Sequence, residues 1–351
     1  MYRVCGHRSW LGFVVMLAGL ASPLVAQEVD ARVVRASDSA GVVGALVRLV
    51  NASGAHVAQA TTMAGGVVVL RAPAAGRYTV TVLRIGQRPW RSEILTLGPG
   101  AARRVTFTVP DEPIVLDAVA VESRSACRTS PGEGSVLADL LAQTDRALTS
   151  TRLEMERGEV RFYVELYRRT ETLLGVVVDS SATVEADLSW PIRSVPPAEL
   201  AVHGFVREDA ATPERPLGGQ VYFGPDAPVL LSPWFLGSHC FGLARGSGLD
   251  SGTVMVTFRP EHPRNVDIAG RIVLTERTFE LRRIEWRYVG LPHWVTREGA
   301  AGEMAFRRLR SGVYLPSRWW MRAPMAEVDL QREPVRLWGW RESGGQMLLS
   351  R

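Results

Sequence analysis

Apolar and polar residues alternate in short bursts along the first third of the chain. "ARVVR", "ALVRLV", "GVVVLR", "GRYTVTVLR" and "RRVTFTV" each put every second side chain on one apolar face. Turn clusters ("SDSAGVVG", "NASG", "MAGG", "PAAG", "LGPG") separate them, which predicts the short strands of a sandwich or small barrel. In the fourth burst the pattern points Tyr78, Val80 and Val82 inward and ends in a turn at Gly86. Residues 111–132, with "DEPIVLDAVAVESRS", then read as a linker. From Ser135 to about Met155 the period becomes helical. Leu137, Leu140, Leu141, Thr144 and Leu148 follow one face, Ser135 fits a cap, and Gly158 fits a stop.

Period two returns in "EVRFYVELYRR", "LLGVVVD", "TVMVTF", "IAGRIVLTERTFELRRIEWRYVG", "GEMAFRRL" and "YLPSRWWM". Ile272/Leu274 and Phe279/Leu281, with "TERT" between them, predict a hairpin. Residues 189–233 and 243–252 read as Pro/Gly-rich loops. The expected fold is mainly β: an N-terminal sandwich at 28–110, then an α+β domain at 133–351, a curved antiparallel sheet with one main helix. A helix of about 20 residues is only ~30 Å long. A sheet of eight or more strands, ~4.8 Å apart, is too wide for it to cover. Part of the sheet face must lie under the loops or stay open as a groove with tryptophans at its rim.

Composition and charge narrow the setting. The 351 residues carry a formal charge of +5, and every basic residue is arginine. A tripartite signal peptide is read at residues 1–26: Arg3 and Arg8, the apolar run "WLGFVVMLAGLA", and Ala26 before the cut near Gln27. Cleavage there lowers the charge from +5 to +3, too weak and dispersed for nucleic acid. No cysteine follows the apolar run to form a lipobox, and no later segment is long and apolar enough to span a membrane. The expected place is the periplasm, the outer-membrane surface or the exterior of a Gram-negative bacterium. Two cysteines remain after cleavage, Cys127 and Cys240. An even pair in an oxidising compartment reads as one disulfide, with free thiols as the alternative. "SHCF" also sets His239 beside Cys240, but neighbours on an extended chain face opposite ways, a poor dyad.

The ordered segments "GVVGALVRLVNASG", "TTMAGGVVVLRAPAAGRYTVTVLRIGQRP" and "ILTLGPGAARRVTFTV" resemble the carboxypeptidase regulatory-like domain. The marks are Gly44-Ala45 before a strand, Thr61 and Gly65 at a turn, the Gly76-x-Tyr78 strand start, and Ile85-Gly86. Gln87 stands where that family usually has tyrosine. The resemblance implies a seven-stranded prealbumin-like sandwich with a carbohydrate-binding-like fold, a non-catalytic module found on exported enzymes and TonB-dependent receptors. The remaining length excludes the plugged barrel of such a receptor. The C-terminal part resembles uncharacterised β-rich regions of exported bacterial proteins and, more faintly, the half-barrels of lipoprotein carriers.

Motifs for chemistry are sparse. The histidines His7, His56, His203, His239, His262 and His293 make no His-x-x-Glu or His-Glu-x-x-His pattern, so no metal site is expected. Gly-x-Ser-x-Gly, a Gly-rich nucleotide fingerprint and a P-loop are absent, so no catalytic residue or cofactor is assigned; "RGSGLDSG" reads as a loose turn. Glu165, Asp179 and Glu185 lie on predicted strands, where carboxylates usually form a solvated face, though a glycoside-cleaving pair needs no sequence proximity. Eight of the ten tryptophans fall after residue 133. They fill a core or line a ligand surface. Trp319 and Trp320 are adjacent, so one faces in and one out, and the outward one is the better ligand contact; Trp338 and Trp340 share a face. The expected function is non-enzymatic: an envelope protein binding a glycan, a lipid or a partner protein. The alternatives are a soluble accessory of a TonB-dependent uptake system and a hydrolase with dispersed carboxylates.

Overall fold

The computed structural model describes residues 27–114, 127, 131–157, 161–187, 190–209, 219–292, 295, 299–309, 312–327 and 336–348. The signal-peptide reading at 1–26, most of the linker, Gly158, His293 and Trp294 lie outside them.

Eight strands build the N-terminal part: β1 (Gln27–Arg35), β2 (Leu46–Asn51), β3 (His56–Thr61), β4 (Val67–Ala72), β5 (Gly76–Leu83), β6 (Trp90–Arg91), β7 (Leu95–Leu97) and β8 (Ala102–Val109). One sheet runs β4-β1-β8, with β8 parallel to β1. The other runs β3-β2-β5 and ends on β6 and β7, which share the free edge of β5. The two short strands fill one position, so eight strands occupy the seven places of a sandwich. Val29, Val33, Val47, Leu49, Tyr78, Val80 and Val82 meet in its core, as the alternation requires. Strand β2 departs from a half-buried pattern. Leu46, Arg48 and Val50 on its other face are buried too, because a helix covers them.

That helix, α1 (Pro131–Arg157), begins inside the stretch read as linker, with proline in its first turn where a missing N–H costs nothing. Ser135 therefore lies within the helix and is not its cap. From Gln143 to Thr151 almost every residue is buried, polar ones included. The reason is that α1 touches β2, β3 and β5 on one side and the C-terminal sheet on the other.

The sheet combines β9 (Arg161–Thr172), β10 (Val177–Asp187), β13 (His239–Arg245), β14 (Thr253–Pro260), β15 (Asp267–Thr275), β16 (Leu281–Val289), β17 (Ala301–Arg308), β18 (Tyr314–Glu327) and β19 (Arg336–Leu348). The order is β10-β9-β19-β18-β17-β16-β15-β14-β13, antiparallel throughout. The "TERT" hairpin lies between β15 and β16, but Phe279 sits in its turn at φ 52°, buried and out of the strand. The 189–233 region is not plain loop. It holds α2 (Pro197–His203), the ribbon of β11 (Val206–Asp209) and β12 (Gly219–Tyr222), α3 (Ala227–Leu230) and α4 (Pro233–Ser238). Its prolines, read as breakers, open each short helix, and Asp226 and Ser232 cap α3 and α4. Likewise residues 243–245 complete β13.

Register assigns the faces. Leu243, Val256, Ile272, Ile284, Met304 and Trp319 form one inward row, packed under α1 and the short helices. Trp286 is also inward, and its ring lies over Gly302 on β17; a Cβ there would sit 2.3 Å from the indole. The outward row beside it reads Thr257, Arg271, Glu285, Glu303 and Trp320.

Candidate functional site

Beyond β18 the inner face loses its cover. On β9 and β10 the inward-facing Leu166, Val178 and Val184 are exposed. Two rows of side chains floor the resulting groove. One runs Trp319, Gly345, Leu166 and Ala182; the other runs Met321, Ser343, Arg168 and Ser180. Residues 191–193 form a wall, with Ile192 buried and Arg193 exposed. The hollow holds about 480 Å³ and crosses four strands, a width of about 14 Å. That is the size of a small-molecule site.

Trp319 is 7% exposed, at the floor of this groove and not at its rim. It lies flat because Gly345 faces it across the ladder; a Cβ there would fall 2.6 Å from the indole and 2.9 Å from Leu166. Trp320 is half-buried on the opposite face, beside Glu303 and Gly344. Trp340 is buried against Gly299 with the Arg322 guanidinium 5.2 Å from its ring, whereas Trp338, two residues earlier, is 47% exposed.

Charge is sorted between the two faces of the open strands. Glu165, Glu171, Asp179 and Glu342 all fall on the outer face. There Glu165 accepts from Gln346, Arg169 lies 3.8 Å from Asp179, Arg322 bonds Glu171, and Tyr167 donates to Glu342. Farther along the same face Arg271 and Arg283 tie Glu285 and Asp250 into a ring. Among the described residues the groove is lined by two charged side chains, Arg168 and Arg193, and by no acid. Arg193 stacks over Phe223 at 5.6 Å.

The remaining candidates are engaged elsewhere. Cys127 and Cys240 form a disulfide with Cα atoms 4.7 Å apart, joining the segment before α1 to the edge strand β13. Glu261 reaches the same two sulfurs, but a disulfide leaves them no thiolate for a metal. His239 stacks on Phe235 at 3.8 Å and faces Asp267 at 3.4 Å, away from Cys240. Asp179 and Glu185 share one strand six residues apart, about 20 Å, too far for a cleaving pair, whereas Glu165, opposite Thr183, lies one diagonal step from Glu185 on the outer face and accepts from Gln346.

The sandwich docks on α1 through its Ile-Gly turn. Gln143, fully inside the junction, accepts from the Gly86 N–H at 3.0 Å and donates to the Arg84 and Gln87 carbonyls at 3.1 and 3.0 Å. Arg48 from β2 forks onto Asp145 and bonds Thr149 at 3.1 Å. Arg146 donates to the Gly44 carbonyl, and burial pushes its pKa down to about 10. Two of the marks seen in the sequence, Gly44-Ala45 and Ile85-Gly86, are therefore docking points. Residues 28–110 match the family model described as the carboxypeptidase regulatory-like domain.

This segment is a carboxypeptidase regulatory-like domain. No curated protein matches the chain. Solved structures show faint likeness. The 5-hydroxyisourate hydrolase of Klebsiella pneumoniae is 16% identical over 24% of this chain and 90% of its own, at a TM-score of 0.21. A LolA superfamily protein of Nitrosomonas europaea is 10% identical over 58% of this chain and 95% of its own, at 0.25. The Bacillus anthracis TIE protein is 14% identical over 47% of this chain and 27% of its own, at 0.21. Scores of that size bear on neither fold nor site. The regulatory-like domain contributes no side chain to the groove; it holds the far side of α1.

Proposed function

We propose that the protein is a non-enzymatic, exported envelope protein that binds a ligand in the open end of its concave sheet. The observation that carries this reading is the groove over β18, β19, β9 and β10, where an apolar floor is left uncovered beside a packed core. Exposed contiguous apolar surface with a few polar groups is the default signature of a binding site. The regulatory-like domain serves as a brace: it clamps α1, and α1 holds the covered half of the sheet in shape. Export is supported by the Cys127–Cys240 bridge, since such bonds persist in oxidising compartments. Among the described residues no helix is long and apolar enough to cross a membrane.

The test is tryptophan fluorescence of the mature protein, with glycans and lipids added in turn and iodide as quencher. Trp319 reports the groove and Trp320 the opposite face, so each is replaced by phenylalanine to assign the signal. A response lost in Trp319→Phe and kept in Trp320→Phe supports the groove. A glycan response lost only in Trp320→Phe moves the site to the outer face. Turnover of ester, peptide or glycoside substrates by the pure protein overturns the non-enzymatic reading.

A further inference from the structure

We propose that the groove takes a single acyl chain ending in one anionic head, a fatty-acid-like amphiphile, with the head set against Arg168 and Arg193. The inference rests on the groove being the binding site and adds the chemistry of its occupant. Three observations converge on it.

First, the floor is split lengthwise. The Trp319–Gly345–Leu166–Ala182 row is apolar, while the neighbouring row offers Arg168 between two hydroxyls, Ser343 on β19 and Ser180 on β10. A ligand lying along the first row has its head beside the second. Second, the acids are excluded. Every carboxylate placed on β9, β10 and β19 at positions 165, 171, 179, 185 and 342 falls on the outer face. Outside, arginine and acid neutralise each other in cross-strand pairs. Inside, among the described residues, neither Arg168 nor Arg193 forms an ion pair, so the groove carries positive charge next to apolar surface. A guanidinium offers a planar fork that suits a carboxylate or phosphate. Third, the hollow is concave and walled by residues 191–193, with a volume of about 480 Å³. It suits one chain entering from solvent and not a flat bilayer. The larger depression of about 530 Å³ on the other face lacks the apolar row: Gly242, Thr257 and Ala269 lie among Arg259, Arg271, Arg287 and Glu285, and Arg271 is bonded to Glu285.

Calorimetry and tryptophan fluorescence with tetradecanoate, tetradecan-1-ol and inorganic phosphate test the proposal on the mature, disulfide-bonded protein. Tetradecanoate is expected to bind about tenfold or more tighter than the alcohol, the scale of one charge-assisted hydrogen bond, with the gap narrowing at high salt. Arg168→Gln should remove most of that gap and leave the alcohol's affinity and the unfolding midpoint unchanged. Arg193→Gln should do the same in part, but it also removes the stack on Phe223, so Arg168→Gln is the deciding variant. Equal binding of acid and alcohol overturns the anionic head and leaves the apolar groove standing. Phosphate alone displacing tetradecanoate overturns the acyl chain in favour of a free-anion site. Binding of none of the three overturns this proposal together with the groove reading beneath it.

Discussion

Gln143 is the side chain on which the junction between the regulatory-like domain and the sheet can be tested most sharply. Its amide satisfies three main-chain groups of one turn: the Gly86 N–H and the carbonyls of Arg84 and Gln87. Gly86 has φ 68°, and a Cβ there would meet the Thr278 carbonyl at 3.3 Å, so the turn is pressed between α1 and the β15–β16 hairpin. In Gln143→Ala all three bonds go and water is kept out. At about 1 kcal/mol per bond, with more for any group left dry, the loss should be about 2–4 kcal/mol. That is a large part of the stability of an ordinary domain, about 5–15 kcal/mol. Urea unfolding followed by fluorescence gives the loss, and hydrogen exchange at the Gly86 amide localises it. Gln143→Glu refines the test. Its carboxylate keeps the Gly86 bond but faces two carbonyls without a proton to donate. Burial and those carbonyls raise its folded pKa, so the deficit against wild type should be full at neutral pH and shrink as pH falls through that raised value. A Gln143→Ala variant within about 0.5 kcal/mol of wild type, with Gly86 exchange unchanged, would refute the idea that this turn is held by α1.

Other outcomes follow from the same geometry. Asp145→Ala strands the buried Arg48 guanidinium and should cost about 3–5 kcal/mol; adding Arg48→Met should recover part of it in a double-mutant cycle by urea unfolding. Burial raises the Tyr222 and Tyr288 phenols and lifts Tyr314 to about 12. Their contribution is complete below the unfolded value near 10 and is lost as pH climbs above it, at about 1.4 kcal/mol per pH unit for each phenol. Absorbance titration should show these three ionising only with unfolding. Replacing Cys127 and Cys240 by serine should cost at most about 4–5 kcal/mol by the chain-entropy argument for a 113-residue separation, read as a lower urea midpoint. Gly345→Val should tilt Trp319 off the ladder and blue- or red-shift its emission, while the equivalent change at exposed Gly98 leaves the spectrum alone.

Much of the architecture was legible because burial on one face writes itself as period two. Tyr78, Val80 and Val82 pointed inward as read, and adjacency alone required one of Trp319 and Trp320 to face in and the other out, with the register choosing Trp319 as the inner one. The failures have physical causes. Pro197, Pro228 and Pro233 carried a loop reading because proline breaks helices from within; at a helix start it does the opposite. The run "ALVRLV" gave no sign that both faces of β2 are covered, since periodicity reports the sheet and not what docks on its back. Its central Arg48 was the available clue: a charged residue in a five-residue apolar run needs a buried partner, and Asp145 supplies it from nearly a hundred residues away. The groove was foreseen from dimensions, a helix too short for the sheet. Its polarity was not, although it was written in "FYVELYRRTE". There Leu166 and Arg168 fall on even positions and Glu165 and Glu171 on odd ones, so a single choice of register already separates acid from groove.

The position of α1 ties these points together. A helix packed on one sheet needs one apolar stripe, but from Gln143 to Thr151 this one is enclosed all round, with Thr144, Arg146, Thr149, Ser150 and Thr151 buried among its apolar residues. Each of these side chains makes at least one hydrogen bond, although the Arg146 Nε is buried without a partner. Thr144 and Ser150 return to the helix backbone, and Thr151 also donates to the Tyr314 carbonyl of β18. Arg146 reaches Gly44 in the regulatory-like domain while packing beside Tyr314. One helix therefore binds both partners: Gln143, Asp145 and Arg146 bond the regulatory-like domain, and Thr151 bonds β18. Such a helix costs free energy when either side departs, because bonded polar groups are then stranded or exposed with their apolar neighbours. The regulatory-like domain and the covered half of the sheet should accordingly unfold together, in one transition. The uncovered strands β9 and β10, with few buried contacts, belong to the low-stability end of the molecule, where a ligand-binding surface can adjust. Hydrogen exchange should separate them: amides of β2, α1 and β18 protected to a common limit, and those of β10 exchanging well before it. Equal protection of β10 in the free protein would mean that the groove is rigid and that its strands are held by something other than the ladder described here.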